Sequence, residues 1–217
     1  MQTKPERAVS HPVFARYYGA MSVMAEKKGN AEHRERMLRG AAGRVVELGA
    51  GNGLNFGHYP STVTEVVAVE PEPYLRERAE AATRTAPVPV RVADGTADCI
   101  PFDDGSFDVG VASLVLCSVP DPAAALAELR RVIEPGGELR FYEHVRADDP
   151  KWARRQHHLA GLWGWFAGGC NPNRTTEQSI VDAGFDIEQI ERFPFAPALP
   201  MRLTAPHILG RARRLSS

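Results

Sequence analysis

Three observations predict an α/β protein built on a mostly parallel sheet with helices on both faces. Short apolar runs alternate with amphipathic helical stretches from residue 44 onward. The first run empties into a loop with glycine at every second position, Gly49, Gly51 and Gly53. An acidic residue, Glu70, closes the second run. Parallel neighbours cannot be joined by tight turns, so each pair needs a long crossover, usually a helix. Right-handed crossovers then cover both faces of the sheet.

Each element follows from local pattern. Residues 13–29 carry apolar side chains at helical spacing, and Gly29 with Asn30 ends that helix. A polar helical stretch leads into the first strand, 44–48, and together the two helices fill residues 11–40. The second strand is 64–70, followed by a helix over 73–86 with charges on its outer face and a short strand at 88–93. The fourth strand, 106–116, is apolar on both faces and therefore central. Asp121 caps a helix over 122–134, with Pro122 at its first position. "PGG" at 135–137 turns the chain into a fifth strand, 138–145. The alternation then breaks. Residues 148–167 hold three tryptophans and "RRQHH", which marks a helical insertion within 146–175. A helix over 175–185 and strands at 186–193 and 206–214 complete seven strands, the last pair forming an antiparallel edge.

Composition narrows the function. The 217 residues fit a single domain, and 43% hydrophobic with 24% charged residues is the balance of a soluble globular chain. A net charge of −1 gives no electrostatic footprint for nucleic acid. Arg154, Arg155 and the basic tail at 210–215 read as solvated surface, since no aromatic residues interleave with them. Cys99, Cys117 and Cys170 are far apart and form no C-x-x-C pair. That spacing argues against disulfides and a metal site, and for a reducing compartment, the cytoplasm. The polar N-terminus has no apolar core of a leader peptide. The longest apolar run, 109–119, is too short to span a bilayer, so no membrane anchor is expected.

The glycines let a ligand touch the backbone where strand order reverses. A dinucleotide fingerprint, G-x-G-x-x-G, fails in both registers, because Leu54 and Phe56 occupy the third glycine positions. What stands here is E-x-G-x-G-x-G, from Glu47 to Gly53. Glu70 can accept hydrogen bonds from both hydroxyls of a ribose, or it caps the helix that begins at Pro73. Glycines and carboxylate together favour an adenosine ligand.

"VVELGAGNG", "VVAVEPEP", "IPFDDGSFDV", "VPDPAAALAELRRVIEPGG" and "LRFYEHV" stand in order along the chain. Together they resemble the class I methyltransferases that use S-adenosyl-L-methionine, over a span from Tyr18 to the chain end. The resemblance implies a Rossmann-like seven-stranded sheet with its last strand antiparallel, and an N-terminal lid helix. It places Gly49, Ala50 and Gly51 under the methionine part of the cofactor. Glu47 orients that loop or reaches the amino group through water, and Asn55 reaches the carboxylate. Glu70 holds the ribose and Pro71 packs near the adenine. The usual acid of the adenine-reading stretch is replaced in "GTADCIPF" by Thr96, with the Ala97 N–H as a second contact and Asp94 or Asp98 as substitute acids. Ser113 and Leu114 offer backbone carbonyls. Tyr18 either donates to the cofactor carboxylate or, with Tyr17, packs the helix onto the sheet.

Methyl transfer from a sulfonium needs alignment and exclusion of water more than acid–base chemistry. A thiol, with its ordinary pKa of about 8.5, sheds its proton far more easily than an alcohol. "LVLCSV", "EHV", "GGCNPNRTTE" and "PHILGRA" resemble the thiol S-methyltransferase branch of the family. A small-molecule thiol is thus the expected acceptor. Methylation of oxygen, nitrogen or a lipid headgroup, and a non-catalytic cofactor sensor, are the alternatives. His144 ends the fifth strand, where it either deprotonates or orients an acceptor or simply bonds to the lid. Glu143 points to the other face as a structural group. Trp152, Trp163, Trp165 and Phe166 form an apolar cap or ordinary helix packing, at most one of His157 and His158 faces the site, and Cys170 either lines the pocket or is inert.

Overall fold

The structure, a computed structural model, describes residues 12–216. The polar N-terminal stretch through residue 11, on which the absence of a leader was argued, lies outside the described residues, as does residue 217.

Seven strands form one sheet: β1 (Gly43–Leu48), β2 (Val63–Val69), β3 (Val90–Ala93), β4 (Phe107–Ser113), β5 (Ile133–His144), β6 (Phe185–Pro194) and β7 (Pro206–Arg214). Their order is β3-β2-β1-β4-β5-β7-β6. The first five run parallel, and β7 lies antiparallel to both β5 and β6. Strand order reverses between β1 and β4, so the crevice at their carboxyl ends is the place for a ligand. Among the described residues six α-helices accompany the sheet: α1 (Pro12–Ala25), α2 (Ala31–Leu38), α3 (Pro73–Ala82), α4 (Pro122–Val132), α5 (Pro150–Phe166) and α6 (Thr176–Asp182). Two apolar cores form, one containing Val46, Ala112, Leu126 and Phe141, the other Val45, Val66, Val111 and Tyr142. Neighbours on one strand enter different cores because successive side chains alternate faces. That is why β1, β4 and β5 read as nearly unbroken apolar runs.

Three expected boundaries move, each for a local reason. The first helix stops at Ala25, and a π-helical turn, Glu26–Asn30, carries the chain through Gly29 into α2. The fourth strand stops at Ser113 rather than continuing to 116. The Glu143 carboxylate accepts the N–H groups of Val115, Leu116 and Cys117, donors that a longer ladder would need, and so folds them into a turn. The "PGG" segment does not precede the fifth strand but sits inside it. Ile133 pairs with Phe107 and Glu138 with Val109, so residues 134–137 are looped out of the ladder. The capping expectation is met: the Asp121 side chain accepts from Ala123 and Ala124, with Pro122 opening α4.

Candidate active site

The loop after β1 climbs over the sheet edge with Gly49, Gly51 and Gly53 at φ of 65°, 57° and 76°. A Cβ at Gly51 would lie 3.5 Å from Tyr18 Cε1, so the α1 tyrosine rests directly on this backbone. Tyr17 points away and is largely exposed. Glu70 stands just past β2 and is buried, with Oε2 accepting from Gly51 N at 2.7 Å and Oε1 from Glu72 N at 3.0 Å. Each oxygen carries two lone pairs, so each keeps an acceptor site. Glu72, not Glu70, caps α3 through Leu75 N.

Beneath the loop lies a buried polar network. Glu47 accepts from Tyr59 Oη at 2.7 Å and Asn55 Nδ2 at 2.9 Å. Burial pushes its carboxyl up to about 7, against the lowering effect of those two bonds. Asn55 Oδ1 accepts from Arg34 Nη1 at 2.7 Å, and Ser113 Oγ accepts from the same nitrogen at 3.1 Å. Arg34 Nε pairs with Glu26 at 2.9 Å. One guanidinium from α2 therefore ties the N-terminal helices to the ends of β1 and β4. Leu114, next in line, is the sole non-glycine of positive φ among the described residues, at 56°. Such a conformation costs energy and is found most often where a site dictates it.

A cavity of about 80 Å³ opens beside this network, between Tyr18, Arg34 and Leu114 on one side and Trp163, Met201 and His207 on the other. Cys117, His144 and Cys170 share its wall. His144 Nδ1 lies 3.4 Å from Cys117 Sγ and 3.6 Å from Cys170 Sγ, and the two sulfurs are 3.8 Å apart. Burial pulls the His144 imidazole down, but the Cys170 sulfur and the Glu143 carboxylate outweigh it, and the net shift is upward. Its hydrogen bond to Cys170 and its burial push the Cys117 thiol well up. The same bond, aided by His144, pulls Cys170 well down. His207 packs against His144 at a ring separation of 4.5 Å, and burial holds it well below its ordinary value.

A methyltransferase domain model matches residues 46–141, the stretch from β1 to β5. The human thiol S-methyltransferase TMT1B is 36% identical over 195 residues, covering 87% of this chain and 79% of its own length. The chain belongs to the class I S-adenosylmethionine-dependent methyltransferases. Human thiol S-methyltransferase TMT1A is 32% identical, with the same two coverages of 87% and 79%. An S-adenosylmethionine-dependent methyltransferase of Thermotoga maritima superposes with a TM-score of 0.70 at 22% identity, over 93% of this chain and 96% of its own. S-adenosylmethionine is the methyl donor of this methyltransferase, and the seven-stranded fold is the one its family shares.

The methyltransferase gathers most of its sequence-expected residues, but not all in the expected company. Glu47, Gly49, Ala50, Gly51, Asn55, Glu70, Ser113 and Leu114 meet at the carboxyl ends of β1, β2 and β4. Asn55, expected to reach outward, spends both ends of its amide on Arg34 and Glu47. Pro71, Thr96 and Ala97 lie half-buried near the ends of β2 and β3, with Thr96 bridged to Cys99. Asp94 pairs with Arg76 instead of facing the cavity. The aromatic cap is only partly formed. Trp163 lines the cavity, its buried Nε1 making no hydrogen bond of regular geometry. Trp152 lines a separate outer groove with Pro194, Phe195 and Arg202. Trp165 and Phe166 are 78% and 58% exposed. His157 and His158 are both exposed, so neither faces the site.

Helical phase explains this sorting. Gln156 anchors α5 by accepting from Ala147 N and donating to the carbonyls of Val145 and Leu203. Trp163, two turns on, shares that inner face, and Trp165 does not. Sequence reasoning missed Arg34 and His207, and did not join Cys117 to Cys170. Arg34 stands three and four residues before Met37 and Leu38 on α2, and that spacing, which puts it on their apolar face, was a readable signal. The cysteine pair gave none. The separation of the two residues was the ground for expecting no metal, and the fold removes that ground.

Proposed function

We propose that this methyltransferase acts on a small apolar thiol, methylating its sulfur. The observation that carries the reading is the cavity wall of Cys117, His144 and Cys170, set in a small pocket whose other sides are largely apolar. The naming of both human relatives as thiol S-methyltransferases supports it. A pocket of about 80 Å³ suits a small acceptor rather than nucleic acid. Free thiols at all three cysteines fit a reducing compartment such as the cytoplasm. Among the described residues no helix is long and apolar enough to cross a membrane.

The residues present fit the cofactor. Glu70 offers its two remaining acceptor positions to the ribose hydroxyls, and the backbone at Gly49–Gly51 lets the ligand lie close. Pro71, Thr96 and Ala97 border the adenine. Arg34 spends Nε and Nη1 inside the protein, leaving Nη2 to join Tyr18 in holding the cofactor carboxylate. Ser113 and Leu114 supply carbonyls for its amino group. Bound S-adenosylmethionine supplies a methyl group already activated on a sulfonium. The chain's own work is then to align the acceptor, exclude water and deal with the acceptor's proton. Helices α1 and α2 act as the lid, and the insertion at 146–175 closes the acceptor side through Trp163. His144, Cys117 and Cys170 are the groups that handle the acceptor sulfur.

Radiolabelled S-adenosylmethionine offered with separate panels of alkanethiols, phenols and amines tests the reading. Label transferred to thiols supports it. Label found only in phenols or amines moves the assignment to oxygen or nitrogen, and bound cofactor with no product from any acceptor points to a sensor.

A further inference from the structure

We propose that Cys117, His144 and Cys170 bind a zinc ion through Sγ, Nδ1 and Sγ, leaving a fourth position open to the cavity for the acceptor sulfur. The three donor atoms lie within 4.8 Å of one another. Their separations of 3.4, 3.6 and 3.8 Å are those of a tetrahedral face. Bonds of about 2.3 Å to sulfur and about 2.0–2.1 Å to nitrogen put tetrahedral donors roughly 3.5–3.8 Å apart. Two thiolates and one imidazole form a soft donor set that suits zinc, and three protein ligands with one open place is the pattern of catalytic rather than structural zinc.

The surroundings are built to hold this geometry. The Glu143 carboxylate fixes the turn of Cys117 by taking three successive N–H groups. The Cys170 loop is stapled onto that turn. Asn171 N donates to Cys117 O at 2.8 Å, and Arg174 donates to the carbonyls of Leu116 and Val119. Gly169, at φ 87°, comes so close that a Cβ there would lie 2.8 Å from Ser118 O. Elements 53 residues apart in the chain are thus locked with their sulfurs in contact. Two sulfurs so placed repel once both are ionised, and a divalent cation between them relieves that cost.

The chemistry balances. An acceptor thiol entering the fourth position gives up its proton to solvent and binds as thiolate, its pKa lowered by the ion. Its sulfur lone pair then forms the new bond to the methyl carbon, and the carbon–sulfonium bond breaks with its electron pair going to the departing thioether. The zinc is unchanged in oxidation state. Its role at the fourth position rests on the thiol reading above, whereas metal binding by the three residues does not.

The test uses the full chain, purified under reducing conditions without a metal-binding tag and loaded with zinc or cobalt(II). Elemental analysis by mass spectrometry should find one zinc per chain, retained by Cys99→Ser and lost from the Cys117→Ser/Cys170→Ser double variant. The cobalt form should show tetrahedral visible bands and thiolate-to-metal charge transfer, which strengthens when a short alkanethiol is added. These readouts on the unaltered chain do not depend on the variants folding. Failure to retain either metal overturns the site, as does full metal in the double variant or a Cys117–Cys170 disulfide that persists in reductant. A cobalt spectrum indifferent to alkanethiol overturns the open position. Undiminished thiol methylation by metal-free protein overturns the role of the ion at the fourth position and leaves the thiol reading standing. A metal-loaded enzyme that methylates only phenols or amines does the reverse for that reading.

Discussion

Glu70 and Glu47 are both buried carboxylates, yet they do different work. Glu70 presents spare lone pairs at the ligand crevice, while Glu47 faces inward to Asn55 and Tyr59. Replacing Glu70 by alanine removes the acceptors proposed for the ribose and orphans the Gly51 N–H. Losses of about 1–3 kcal/mol are typical of such buried bonds, so cofactor affinity should fall about 5- to 150-fold. Calorimetric titration reads this directly, and unchanged affinity would take Glu70 out of the cofactor site. Glu47 makes a pH prediction. Its folded pKa is raised from the ordinary 4.5 to about 7, chiefly by burial. Between those values the folded chain keeps a proton that the unfolded chain has released. Its contribution to stability is therefore complete below pH 4.5 and lost as pH rises through about 7. The loss is on the order of 3 kcal/mol, at about 1.4 kcal/mol per pKa unit. Glu47→Gln cannot release a proton, so the stability of the wild type relative to this variant should decline over that window. Urea melts at a series of pH values measure the difference, and a flat difference would show that Glu47 titrates normally.

At the scale of elements, the cavity is made where two loops meet rather than by any one helix or strand. The turn after β4 is shaped by Glu143 of β5, and the loop after α5 lies against that turn at Gly169. A Gly169→Ala change puts a side chain both into a left-handed backbone and against the Ser118 carbonyl. Strain of this kind costs roughly 1–2 kcal/mol at a non-glycine residue. The variant should melt earlier and pull Cys170 away from Cys117, while the crevice at Gly51 and Glu70 is untouched. The expected signature is a large loss of turnover with nearly normal cofactor affinity, and equal losses in both would show that the two regions are not separable. The elements themselves were largely legible from sequence. Asp121 and Pro122 announced α4, and the apolar runs announced the strands. What was illegible was the end of β4 and the bulge in β5, because both depend on a carboxylate and a register supplied by a neighbouring strand.

Taken as a whole, the molecule places its N-terminal helices over the switch point and Trp163 of α5 against the cavity. Arg34, paired with Glu26 of the turn between α1 and α2, links the first of these to the sheet through Asn55 and Ser113. Because S-adenosylmethionine binds the folded chain alone, it should raise the melting temperature in a concentration-dependent way. At a hundred times its dissociation constant the gain is about 2.7 kcal/mol. Thermal melts across a cofactor titration check this, and Tyr18→Ala should require a higher cofactor concentration for the same rise in melting temperature. A melting temperature indifferent to cofactor would mean that the crevice does not bind it.

By itself the sequence determined the α/β architecture, the seven strands, the glycine loop and the carboxylate that together favour an adenosine ligand, while the methyl donor came from the resemblance to the class I methyltransferases. These rest on patterns within a few tens of residues, where side-chain periodicity, capping and backbone freedom act locally. Only the tertiary structure decided that Cys117, His144 and Cys170 share one wall, that Arg34 lies under the glycine loop, and that Trp163 turns inward while Trp165 turns out. Those outcomes depend on which strand lies beside which and on the phase at which a helix docks. No local pattern encodes either, because both are set by the packing of surfaces distant in the chain.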